Sequence, residues 1–190
     1  MLAPPGAYSV KLTVGGQEFS QPLTIKKDPN TDGSEADIRT QTAMLRDIQK
    51  DLETAGGMVN TIEVVRNQLE QLARLTAGGR DAAAVKQASD ALDKKLVDIE
   101  DKLIQRKLTG QGQDSTRWPA MLISKVNYLA GGVAEGDEPP TVQARDVHAD
   151  FKKQIAALQQ ELSGVLEKDL TEFNRTLRDR GIQNVIARTP

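Results

Sequence analysis

Residues that could do chemistry are few in this chain and widely spaced. His148 is the only histidine and cysteine is absent, so thiol nucleophiles, disulfides and the Cys/His sets that hold zinc have no material to work with. A lone histidine one position off a helical apolar stripe reads as a polar boundary residue. The pairs Asp47/Asp51 and Asp146/Asp150 stand four apart, on one helix face, where two carboxylates could divide acid and base roles. They sit among many other surface charges, and that is the pattern of a solvated face. No Gly-Lys-Ser/Thr phosphate loop occurs, and Gly110-Gln111-Gly112 is a polar loop rather than a dinucleotide fingerprint. No catalytic residue, metal site or cofactor is expected.

The residue that stands out is Trp118, the sole tryptophan. Next to Arg117 and the Gly/Gln loop it could anchor a partner. Its helical spacing with Leu122 favours packing against the first or last helix. Exposure of Trp118 with Arg117 and Asp114 in a cleft would favour a tail that contributes to an enzyme's site, and burial between helices a packing module. Aromatic residues make up 3% of the chain, too few for the stacking platforms that bind sugars or single-stranded nucleic acid.

The elements that must position these residues follow from a single change of hydrophobic period, at Asp28-Pro29. Before it, apolar residues alternate. Tyr8, Val10, Leu12 and Val14 share one face, and a Gly15-Gly16 turn brings Phe19, Leu23 and Ile25 to the same face. This pattern predicts a β-hairpin pairing 14 with 17, 12 with 19 and 8 with 23. The opposite face is almost wholly polar, and Pro22 marks an edge strand. Burying the seven apolar side chains represents on the order of 10 kcal/mol. The face should therefore be covered by the helices, by a second copy of the chain or by missing strands.

After the switch the spacing is helical. Ser34-Glu35-Ala36-Asp37 predicts an N-cap opening a helix that runs to about Ala77, with Ile38, Leu45, Leu52 and Val59 seven apart. Gly56-Gly57 inside it predicts a bend or a close helix contact. A second helix is expected from Asp81 to Leu108, and a shorter one with Pro119 in its first turn. The last should run from Thr141 to about Arg180, where Gly181 stops it. Phe151, Leu162 and Phe173 stand eleven apart, as do Ile155, Leu166 and Leu177, which suits a nearly straight helix. The economical fold is mainly α: an elongated three-helix bundle over residues 34–182 with an interrupted middle helix, after an N-terminal β-hairpin over residues 1–29. A four-helix bundle is the alternative.

Charge excludes some partners. Lys and Arg total 25 against 27 Asp and Glu, a formal net charge of −2, with a mean hydropathy of −0.47. That balance argues against a nucleic-acid or anionic-membrane surface. No stretch approaches the roughly 20 apolar residues of a membrane span, so no membrane insertion is expected.

Ala3-Pro4-Pro5-Gly6-Ala7-Tyr8, then Val14-Gly15-Gly16-Gln17 and Pro22-Leu23-Thr24-Ile25-Lys26-Lys27-Asp28-Pro29, resembles the final hairpin of an Ig-like sandwich. Such sandwiches occur near the C-terminus of bacterial sortilin-like, BNR-repeat β-propeller proteins. Leu108 to Asp114, running into Arg117-Trp118-Pro119-Ala120, is similar to the helical tail of the same proteins. Members are often labelled glycosyl hydrolases because of the propeller, whose Asp-box has no match here, so the resemblance carries over no catalytic residue. It implies a bacterial, exported parent. The expectation is a non-catalytic accessory module for packing, spacing or protein–protein interaction. Its candidate interaction residues are Tyr8, Val10, Leu12, Val14, Phe19, Leu23, Arg117 and Trp118. The expected partners are missing N-terminal domains of the same protein or a second copy of the chain. The alternative is a tail that contributes to the site of a glycoside- or peptide-processing parent enzyme.

Overall fold

The computed structural model of the protein describes residues 2–187, apart from the side chain of Ser115. Met1, the first residue of the hairpin segment, lies outside the described residues. The chain is mainly helical, at 62%, with one two-stranded antiparallel sheet. It divides into two compact units. The first comprises the residues up to Lys50 together with Tyr128–His148, and the second Asp51–Asn127 together with the residues from Ala149 onward.

The first unit begins with the hairpin, β1 (Gly6–Val14) and β2 (Gln17–Ile25). Its register pairs Val14 with Gln17, Leu12 with Phe19 and Tyr8 with Leu23, as the alternation predicts. Gly15 and Gly16 take φ of 56° and 81°, the two left-handed positions of a type I′ turn, which side chains disfavour. Helix α1 (Glu35–Leu75) opens on the expected cap. Ser34 Oγ accepts from the Asp37 amide at 3.1 Å, and the Asp37 carboxylate accepts from the Ser34 amide at 2.9 Å. Two otherwise orphaned donors are thereby satisfied reciprocally. Gly33 is buried just before this cap, and a Cβ there would meet the Asp137 carbonyl oxygen at 2.0 Å, so only glycine fits. The Gln41 amide, also buried, donates to the carbonyls of Val133 and Gly136, each at 2.8 Å.

The second unit holds most of α1, followed by α2 (Ala82–Leu103), the one-turn α3 (Asp114–Arg117), the start of α4 (Leu122–Val133) and most of α5 (Val142–Gly164). A π-helical turn at Val165–Asp169 leads into α6 (Leu170–Arg178). Ile62, Val65, Val85, Leu96, Ile99, Leu103 and Leu177 have no exposed surface. Val185 in the final segment is pinned by Asn174, which donates to its carbonyl at 2.8 Å and accepts from its amide at 2.7 Å.

Several predicted boundaries shift, each for a local reason. Gly56 and Gly57 lie inside a continuous α1, and a Cβ at either would meet nothing within 4 Å, so no close helix contact occurs there. Helix α2 stops at Leu103 rather than Leu108, with Ile104 extended at φ −131°. A helix carried onward would place Arg106, six residues past Glu100, some 240° around the axis from it. Unwinding instead brings Arg106 Nε to 3.2 Å from the Glu100 carboxylate. The helix expected to hold Pro119 in its first turn starts three residues later, at Leu122. Proline pushes the residue before it out of the helical region, and Trp118 takes φ −121°, ψ 128°.

From Ile155 onward, the buried positions of the last helical run are Ile155, Leu158, Leu162 and Val165, then Leu170, Phe173 and Leu177. The gap from Val165 to Leu170 is five, one residue more than an α-helical stripe permits. The π turn absorbs that extra residue and keeps the stripe on one side. Leu166, expected in an eleven-residue repeat, is consequently only half-buried.

Candidate interaction surface

The turn that closes Val14 on Gln17 sets the hydrogen-bonding phase of the whole hairpin. Pairs alternate between exchanging both bonds and exchanging none. The pairs 14/17, 12/19, 10/21 and 8/23 are therefore bonded, and 13/18, 11/20 and 9/22 are not. Pro22 lies opposite Ser9, so its nitrogen points away from β1. The outer edge of β2 lacks a donor at that position. The outer edge of β1 keeps the amides of Ala7, Ser9, Lys11 and Thr13.

The near end of the helices was expected to cover the apolar face, but most of that face stands exposed. Leu12 is 59% exposed and Phe19 54%, and Tyr8, Val10, Val14 and Leu23 are exposed as well. The Tyr8 hydroxyl donates to the Pro4 carbonyl at 2.6 Å, which fixes the ring at one end of the face. On the opposite face Lys11 pairs with Glu18 at 2.6 Å. The six residues form a contiguous apolar patch with a polar back, the kind of surface that soluble proteins reserve for binding.

Arg117 and Trp118 belong to the second unit, and neither Arg117 nor Asp114 lines the hollow beside Trp118. Trp118 is half-buried, with Lys107 Nζ 4.5 Å from its ring centroid. It packs in the interruption itself, lining an open hollow of about 560 Å³ with Asp101, Gln105, Arg106 and Pro119. Packing of Trp118 on the first or last helix is thus corrected: the extended Trp118-Pro119 step holds the ring beside the end of α2. Arg117 is exposed. The Asp114 carboxylate accepts from the amides of Thr109 and Gly110. These bonds, that of Thr109 first, hold it below the usual carboxylate range, so it organises the loop.

One cluster escapes the sequence reading. Glu100 of α2 is fully buried, and its Oε2 accepts from Arg66 of α1 at 2.8 Å. Arg66 also donates to Asp93 at 2.8 Å and lies 3.3 Å from Glu63. Burial pushes the Glu100 carboxyl up to about 7, reinforced by Glu63 and opposed by Arg66 and Arg106. A signal was present in the spacing, because Glu100 falls four residues after Leu96 and three before Leu103, on the buried stripe.

His148 is buried and Asp47 lies on α1. Among the described residues no group of three or more His, Asp or Glu side chains is placed to hold a metal ion, and no helix is long and apolar enough to cross a membrane. Compared with protein-family models, with curated proteins and with solved structures, the chain matches none of them.

Proposed function

We propose that the chain is a non-catalytic accessory module whose hairpin docks on a β-sheet belonging to another domain of the same protein. The observation that carries this reading is the open apolar face of Tyr8, Val10, Leu12, Val14, Phe19 and Leu23. A partner sheet would pack on that face, while a further strand extends the hairpin's own sheet along the β1 edge, where the ladder donors are complete. The β2 edge, interrupted at Pro22, favours the end of a sheet. The resemblance to the final hairpin of an Ig-like sandwich in sortilin-like, BNR-repeat proteins supports the same arrangement. In it the helices, as an elongated three-helix bundle with an interrupted middle helix, serve as packing or spacing element.

The alternative, a tail that lends residues to the site of a glycoside- or peptide-processing parent, calls for Trp118, Arg117 and Asp114 in one cleft. Asp114 is committed to backbone amides and Arg117 does not join the hollow beside Trp118, so this reading has less support.

Hydrogen exchange at the Ser9, Lys11 and Thr13 amides tests the proposal. They should exchange freely in the chain alone and be protected in the protein that carries the preceding domains. Equal, fast exchange in both would overturn it. Protection in the chain alone, rising with concentration, would assign the face to a second copy instead.

A further inference from the structure

Helix α2 encloses Glu100 completely, yet the two oxygens of its carboxyl have unlike surroundings. Oε2 lies between two guanidiniums, 2.8 Å from Arg66 Nη1 and 3.2 Å from Arg106 Nε. Oε1 is buried with no hydrogen-bond partner among the described residues. Glu63 of α1 is drawn to the same donor, its Oε1 3.3 Å from the Arg66 Nη1 that Glu100 Oε2 meets at 2.8 Å. Two carboxylates have no hydrogen to place between them, whereas a carboxyl and a carboxylate do. We infer that Glu63 and Glu100 hold one proton between them and that this shared proton is a pH-sensitive clamp of α1 on α2.

The surrounding charges agree with that assignment. From α1 come Glu63 and Arg66, from α2 Asp93 and Asp101, and from the segment after α2 Arg106. The lysines of α2 nearest the last helical run are engaged elsewhere, Lys95 with Asp169 and Lys102 with Glu161. Four carboxylates, counting Glu100, thus face two guanidiniums. One proton brings the cluster from a net −2 to −1 and removes the repulsion between the closest pair.

The direction of the pH effect follows from linkage. With the Glu100 carboxyl raised from 4.5 to about 7, the folded chain binds more protons than the unfolded chain between those values. Stability from this group is fully present below pH 4.5 and lost as pH rises through about 7. The clamp closes on acidification.

Glu100→Gln in the full chain separates a shared proton from an ordinary buried ion pair. Glutamine mimics the protonated acid, giving Glu63 an N–H and keeping an oxygen for the arginines. The melting temperature of the wild type should fall from pH 5 to pH 8 relative to that of E100Q, which should melt higher than wild type at pH 8. Equal destabilisation by E100Q at both pH values would overturn the inference. Should E100Q fail to fold, carbon-13 titration of the Glu100 carboxyl in wild type and Glu63→Gln decides. A wild-type midpoint near neutrality that drops in E63Q supports the clamp, and a wild-type midpoint in the ordinary glutamate range refutes it.

Discussion

The hairpin and the α1–α2 pair solve opposite problems. In the hairpin six apolar side chains stand in water on a polar-backed ribbon, while between α1 and α2 a carboxyl lies under two guanidiniums with no exposed surface. The hairpin keeps its register because pairing and turn are local, fixed by Gly15-Gly16 and the alternation, and they need no core. The helix pair obtains its position from the core, and the charged cluster persists because the packed stripe of Val65, Leu96 and Ile99 around it does. Apolar exposure at one place and ionic burial at another are both departures from the usual distribution. The first points outward to a partner. The second points inward to a proton.

The contrast can be broken by substitution. Removing Arg66 takes from a buried carboxylate the nearer of its two counter-ions, so Arg66→Ala should cost about 3–5 kcal/mol at pH 8. At pH 5, where Glu100 can take a proton instead, the cost should be visibly smaller; urea denaturation at the two pH values measures both. An equal cost at both would show that Glu100 stays charged throughout. Leu96→Ala should cost about 2–5 kcal/mol as a cavity in a closed core, while Leu12→Ala in the chain alone should stay within about 0.5 kcal/mol, as exposed sites do. If Leu12→Ala matched Leu96→Ala in the same denaturation series, the hairpin face would be covered after all. Trp118→Ala should fall between, at about 1–2 kcal/mol, combining partial burial with the loss of the Lys107 cation–π contact. Lys107→Gln in a double-mutant cycle would isolate that last part.

What was legible in the sequence is what short-range chemistry decides. The register of the hairpin, the Ser34 cap and the stop at Gly181, with its φ of 71°, all rest on a few neighbouring residues. The interruption in the middle of the chain was legible as a place but not as a geometry. Pro119 suggested a helix start, yet its effect on Trp118 overrode it. The π turn arises from a count along the stripe, Val165 to Leu170, that comes out one residue too many only when the buried side chains are known. Glu100 was hidden for a different reason: burial of a charge depends on Arg66, 34 residues away, and no local pattern announces that partner. Which surface covers the hairpin face was not legible, because the energy of burial says that a cover is favourable, not which of the helices, a second copy or further strands provides it.

The position of Pro22 also bears on how far strand pairing could spread. A ribbon with donors along both edges can recruit a strand on each side, and every recruit then offers a fresh edge, which is the route to open-ended growth. This ribbon has one complete edge and one broken edge. It can accept a strand on the β1 side and then resists continuation beyond β2. In the language of polymer chemistry the hairpin is a terminator: it can finish a sheet, and it is poorly equipped to extend one.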